Sequence, residues 1–297
     1  MYSNKTTFAM LLLSGTVFAA SAGEVSAKAG AAESLVPARQ VTQVQAVSIP
    51  EDAEASGFAS GPSAGFTPGQ EEKIGEIARD YLLAHPDILL QLSSKLREQQ
   101  QMKQLSAMTQ SVLRHQDVLL HDSSAPSYGP ADAKVAFIEF FDYQCSVCAR
   151  QAPVIESLMK RNPNVRYIFR EWPIFAQRWK PSLSAAKVGL QIWKQKGAEA
   201  YLAYHNALFA TSHNEGQLTL KDITETAAKT GTQDGENVVA MEILSATDAL
   251  AQNLGLSGTP GMIVMPVSGA REDNVTVIPG GADFDMLQNA IDKANHN

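Results

Sequence analysis

Cys145 and Cys148 are the only cysteines of the chain, with Ser146 and Val147 between them. They follow a strand-like apolar run, Val135–Phe141, and a short polar turn, and a helix-like run starts at the second of them. That placement suits thiol–disulfide redox chemistry. Cys145 falls where the free N–H groups and positive end of a helix stabilise a thiolate. Cys148 is one helical turn further on, within reach of a disulfide. Two other uses of the pair fit less well. A bridge across two residues closes too short a loop to stabilise a fold through chain entropy. Structural zinc needs four ligands, yet there is no second CxxC, and His85, His115, His121, His205, His213 and His296 are scattered along the chain.

One charged residue, Glu139, interrupts the apolar run six positions before Cys145. A carboxylate in a buried strand is expensive unless it is paired or can take up a proton. Two readings stay open on the residues alone. Glu139 is a buried acid that relays the proton of Cys148, or it lies at a strand edge and reaches solvent.

These groups need a frame. A helix is expected over 148–159, kinked by Pro153, and a second strand over 165–170. A helical block follows, with helices over 182–196, 198–210, 219–230 and 236–254 punctuated by Gly197, Gly216 and Gly231. His205 and Trp193 within it read as packing or surface residues. Strands over 262–266 and 274–278 are expected to pair antiparallel, and an amphipathic helix over 283–293 closes the chain. This order describes an α/β domain with a helical insertion, expected over 121–297.

Upstream, residues 1–22 read as a signal peptide. Lys5 supplies the positive region, residues 8–20 are almost continuously apolar, and Ala20-Ser21-Ala22 fits the cleavage pattern. The run is shorter than the roughly 20 residues of a spanning helix, so export with cleavage to a soluble form is expected, into an oxidising compartment. Residues 23–70 are rich in Ala, Ser, Gly, Val and Pro and read as a flexible low-complexity linker, with a lone strand over 40–49 suggested by alternation. A helical segment is expected over 71–120. Ile74, Ile77, Ala78, Tyr81 and Leu82 share a face, His85-Pro86-Asp87 breaks the run, and Asp87 is placed to cap a second helix. That helix carries Leu89, Leu92, Leu96, Met102, Leu105, Met108 and Val112 at three- and four-residue spacing. Such a stripe must be covered, either by the redox domain itself or by other copies in an oligomerisation stalk; length and mixed-charge flanks favour the stalk. The 24 basic and 31 acidic residues give a net charge of −7, and no basic cluster marks a nucleic-acid or anionic-lipid partner.

From residue 74 to 294 the residues resemble a family. The CxxC on a strand-to-helix turn, Pro153, the helical insertion and Gly258-Thr259-Pro260 before a strand are similar to the thioredoxin-fold, DsbA-like proteins. Tyr81-Leu82-Leu83-Ala84-His85-Pro86-Asp87, Phe141-Asp142-Tyr143-Gln144-Cys145 and Glu171-Trp172-Pro173-Ile174-Phe175 resemble the ScsC and Com-type branch. The resemblance implies a thioredoxin fold with helical insertion and a role for each site residue. Cys145 is the nucleophile and Cys148 the buried resolving thiol. Pro260 is a cis-proline beside them, and Thr259 offers backbone groups to a substrate peptide. Glu139 matches the family's buried acid. No separate cofactor or resident metal is implied beyond the Cys145–Cys148 pair. The partners implied are unfolded or misfolded exported proteins, a membrane redox partner that reoxidises or reduces the pair, and further copies in a dimer or trimer. Uncharged Ser146 and Val147 stand where DsbA has a histidine, which implies a less stabilised thiolate and a weaker oxidant. Thr259 and the stalk lean toward disulfide isomerisation in the periplasm. ScsC relatives belong to copper-tolerance systems, so Cu(I) binding by the two thiolates is the alternative.

Overall fold

The structure is a computed structural model that describes residues 65–232 and 239–296. The expected signal peptide, most of the linker with its lone strand, and the start of the helix expected at 236 lie outside the described residues.

The strand β2 (Val135–Phe141) is buried at all seven positions. It runs between β3 (Arg166–Glu171), parallel to it, and β4 (Gly261–Pro266), antiparallel. Both faces of β2 are covered, which is why its sequence is a continuous apolar run. A two-residue strand β1 (Ser127–Tyr128) and β5 (Thr276–Pro279) form the edges, giving the order β1-β3-β2-β4-β5. The antiparallel β4–β5 pairing is as expected. Glu139 therefore stands on a central strand, 1% exposed, and the strand-edge reading of it fails.

Alternation along β2 divides the core in two. Val135, Phe137 and Phe141 pack with Cys148 and Leu158 of α4 (Ser146–Arg161), with Ala185 and Ile192 of α5 (Lys180–Lys196), with Tyr201 and Tyr204 of α6 (Ala198–Ala210) and with Leu287 of α9 (Phe284–Asn295). Ala136, Ile138 and Phe140 pack on the opposite side with Met108 and Val112 of α2 (Asp87–Arg114), Leu119 of α3 (Gln116–His121) and Leu250 of α8 (Ala240–Asn253). The insertion thus comprises α5, α6, α7 (Leu220–Ala228) and α8. The helix α4 is continuous across Pro153 and starts at Ser146, two residues earlier than expected. The cause is Cys145: it is extended (φ −82°, ψ 117°), and its sulfur caps the helix by accepting from the Cys148 N–H.

The redox domain covers only part of the stripe of α2. Met108 and Val112 are buried in the redox domain, whereas Leu89, Leu92, Leu96 and Met102 are all more than half exposed. The preceding α1 (Pro68–Ala84) buries none of its residues. Asp87 does not cap α2. Pro86 holds the cap position with helical angles (φ −64°, ψ −20°), and Asp87 falls inside the first turn, where its charge still complements the helix end.

A buried ion pair fastens α3 to the sheet. Arg170, 3% exposed, pairs with Asp122 and donates to the carbonyls of Val118 and Leu119. Asp122→Ala strands the guanidinium, and urea unfolding is expected to show a loss of about 2–3 kcal/mol. That is below the figure for fully enclosed pairs, because the Asp122 side chain is 25% exposed.

Candidate active site

The site grows from the end of β2. Asp142 to Gln144 turn the chain, Cys145 caps α4, and the next turn of the helix carries Cys148. Both cysteines are free thiols, 5% and 0% exposed respectively. The Cys148 N–H points at the Cys145 sulfur at 3.4 Å, and the Cys145 thiol donates to the Thr259 carbonyl at 3.2 Å. The Thr259–Pro260 peptide is cis and precedes β4 directly. Residues 114 positions apart in sequence thus meet at one sulfur.

The two thiols are driven apart electrostatically. The Cys148 thiol beside Cys145 pulls the latter's pKa down; burial opposes this; the Thr259 side chain and the N–H groups of Cys148 and Val147 add to the lowering, leaving it at about 6. Cys148 is pushed well above 9 by burial, then by Cys145 and Glu139. At neutral pH Cys145 is mostly thiolate and Cys148 holds its proton. Thr259 Oγ1 is buried with no hydrogen-bond partner. Thr259→Val removes a donor for the thiolate, and iodoacetamide alkylation against pH is expected to show a higher Cys145 pKa, with about two- to threefold less thiolate at pH 5.

Glu139 stands on the same side of the sheet as Cys148. Burial, then the Cys145 charge, raises its pKa to about 8. Its Oε2 is buried without a partner. Its charge also raises the pKa of the buried Cys148 thiol, so the two groups compete for protons, a property that suits an acid–base partner. The structure thus brings Cys145, Cys148, Thr259 and Pro260 together and sets Glu139 behind them.

Three further buried polar residues surround the turn; they lie in motifs that resemble the family, but the sequence assigned them no individual role. The Asp142 carboxylate accepts from Gln144 N, Phe175 N and Ser182 Oγ at 2.8–2.9 Å. Gln144 is fully buried and bonds to the loop after α6. Glu171 accepts from Tyr201 and Tyr143, and burial raises its pKa strongly. A Cβ at Gly189 would lie 2.5 Å from the Glu171 carboxyl, so glycine there makes its room. The signal available was a polar residue inside an otherwise apolar stretch, as at Glu139. His205 packs among Phe141, Phe169 and Phe209, and burial lowers its pKa to about 4, so it is neutral. Among the described residues no group of three or more His, Cys, Asp or Glu is placed to hold a metal ion. No described helix is long and apolar enough to cross a membrane.

Comparison with known proteins agrees with this geometry. Residues 122–271 match the family model described as thioredoxin, and residues 70–103 match the copper resistance protein ScsC N-terminal domain. The structure of BcfH from Salmonella enterica Typhimurium is 42% identical, with 76% of this chain and 96% of that chain covered and a TM-score of 0.64. ScsC of Proteus mirabilis in a transitional conformation is 25% identical, over 77% of this chain and 98% of that one, with a TM-score of 0.54. A thioredoxin-like oxidoreductase from Silicibacter pomeroyi DSS-3 is 30% identical, over 61% and 98%, with a TM-score of 0.51. None of the curated proteins matches the chain. The redox turn, the cis-proline beside it and the matched sequence identify the chain as a member of the thioredoxin-fold family of ScsC-, BcfH- and DsbA-like thiol–disulfide oxidoreductases.

Proposed function

We propose that this chain is an exported, periplasmic protein-disulfide oxidoreductase that works largely from its dithiol form and isomerises disulfides of misfolded proteins. The observation that carries this reading is the split between the two thiols, one a thiolate at neutral pH and the other buried and protonated. Cys145 attacks a client disulfide sulfur and forms a mixed disulfide, and the client's other sulfur leaves as a thiolate. That thiolate can then attack elsewhere in the client, ending in isomerisation with Cys145 released. Alternatively Cys148 gives its proton to Glu139, attacks Cys145 and expels the second client thiolate, leaving the client reduced and the enzyme oxidised. A Cys145 pKa of about 6 lies nearer to thioredoxin's ~7 than to DsbA's ~3.5. That supports a dithiol less stabilised than DsbA's and hence a weaker oxidant. Refolding of scrambled ribonuclease by the reduced chain tests the reading; recovery no faster than with glutathione alone would sink it.

The bare half of α2 supports self-association. Leu92 and Leu96 are 53% and 51% exposed on a helix that buries only Met108, Ser111 and Val112, near its C-terminal end. The double substitution Leu92→Glu and Leu96→Glu is expected to convert an oligomer to a monomer by light scattering. Isomerase activity should fall several-fold while the Cys145 pKa is unchanged. Point variants suit this better than truncation at Asp122, which strips Met108, Val112 and Leu119 from the core.

The match to a copper resistance protein's N-terminal domain favours a second reading, Cu(I) carriage by the two sulfurs. The pair fits it less well. A thiolate ligand must be deprotonated, and burial holds the Cys148 proton firmly. Cu(I) competition with a chelator distinguishes the two, since carriage demands tight binding that Cys148→Ser abolishes.

A further inference from the structure

The loop between α6 and α7, residues 211–219, is bonded directly to the residue preceding the nucleophile. Glu215 N donates to the Gln144 carbonyl at 2.9 Å and Gly216 N to Gln144 Oε1 at 2.8 Å. Two successive N–H groups of the insertion therefore close on one residue. Gln144 is 0% exposed although it is polar and stands beside Cys145. The loop holds an unusual backbone to reach it. Ser212 and Glu215 have φ of +58° and +50°, and Gly216 has φ of +97°. Positive φ in residues other than glycine is a local cost that the surrounding structure must offset. Gly216 is further required by Trp179, since a Cβ there would lie 2.7 Å from Trp179 Nε1. Trp179 packs against Phe175 with ring centroids 5.4 Å apart, and Phe175 N bonds to Asp142, which in turn accepts from Gln144 N. The ring from Asp142 through Phe175, Trp179 and Gly216 back to Gln144 encloses the turn that ends at Cys145.

We infer that Gln144 is a positioning residue for the nucleophile, through which the 211–219 loop of the helical insertion holds Cys145 at the mouth of α4. Cys145 has one conformation in which its sulfur caps the helix, and its own N–H bonds to the Asp142 carbonyl. Freed of the loop, Gln144 turns about its backbone and takes Cys145 with it, and the bond from Cys148 N to the sulfur lengthens. Of the acids near the redox pair, Asp142 accepts from Gln144 N and shares in this change, whereas Glu139, on β2, makes no bond to Gln144 or the loop. The inference rests on the reading of Cys145 as the reactive thiol and requires no client protein.

The test is the rate of iodoacetamide alkylation of the reduced full chain against pH. Gln144→Met keeps the side-chain length and removes the side-chain acceptor of Gly216 N. It is expected to raise the Cys145 pKa and slow alkylation about fivefold at pH 5, where the rate follows the thiolate fraction. Gly216→Ala, made on the loop's side of the contact, is expected to do the same. The double variant should be no slower than the slower single one, because both break one connection. An unmoved pKa in either folded variant, or effects that multiply in the double variant, would overturn the inference. Should Gln144→Met fail to fold, Gly216→Ala alone decides it. Alkylation proceeds whether or not the chain acts on protein disulfides, so the outcome is separate from that of the isomerase assay.

Discussion

Replacing Cys145 by serine is expected to lower thiol–disulfide exchange on the order of a thousandfold or more, the loss typical of removing a nucleophile. Cys148 cannot take over, because it is fully buried and its proton is held well above neutrality. The reciprocal variants separate the two roles of Cys148. Cys148→Ser leaves a hydroxyl to donate to the thiolate, so Cys145 should still be alkylated readily. Without a resolving sulfur, mixed disulfides with client proteins should accumulate and be visible on a non-reducing gel. Cys148→Ala also lacks that donor, the largest contribution to the lowered Cys145 pKa, so its thiolate should be scarcer than in Cys148→Ser. Equal alkylation profiles for the two variants would refute this account of how the nucleophile is activated.

Glu139→Gln is expected to make the reduced protein more stable and a slower catalyst. The carboxyl has a pKa of about 8 when folded, against an ordinary value of 4.5. Below pH 4.5 both folded and unfolded chains hold the proton and there is no penalty. Between 4.5 and 8 the folded chain keeps a proton that the unfolded chain gives up, so stability falls by about 1.4 kcal/mol per pH unit. Above 8 the loss levels off. Near pH 7 the accumulated cost is on the order of 3 kcal/mol, and glutamine, which never ionises, escapes it. Urea unfolding of the dithiol forms at pH 4.5 and 7 should show the variant's advantage appearing only at the higher pH. In the same variant Cys148 lacks its base, and resolution of a mixed disulfide should slow about a hundredfold. A stability gain equal at both pH values, or resolution at the normal rate, would remove Glu139 from the mechanism.

Much of this site was legible in the sequence because its parts obey local rules. A strand, a polar turn and a helix place Cys145 and Cys148 whatever the rest of the chain does. The helix over Ala198–Ala210 was legible to the residue because Gly197 and the apolar spacing bound it. The helix start at Cys148 was misplaced because propensity does not show that a cysteine sulfur serves as its cap. Asp87 misled for the converse reason: it is a capping residue type, but Pro86 already occupies the position. The roles of Asp142, Gln144 and Glu171 depend on partners 28 to 72 residues away, and no spacing rule reaches that far. The resemblance to DsbA-like proteins supplied the meeting of Thr259 with Cys145, which spacing alone does not give. The fate of α2 was stated as two exclusive possibilities, and packing on the redox domain accounts for only part of the stripe, because its 28 residues are long enough to bury one end and bare the other.

That helix has a mechanical consequence. At 1.5 Å per residue α2 is about 42 Å long, and its C-terminal turns are anchored in the core behind the sheet. If copies associate through the bare turns, a rigid strut rather than a floppy tether carries each redox turn. The effective concentration of one Cys145 at a client held by its neighbour is then set by the pitch and splay of the struts, and it falls to nothing if they cannot converge.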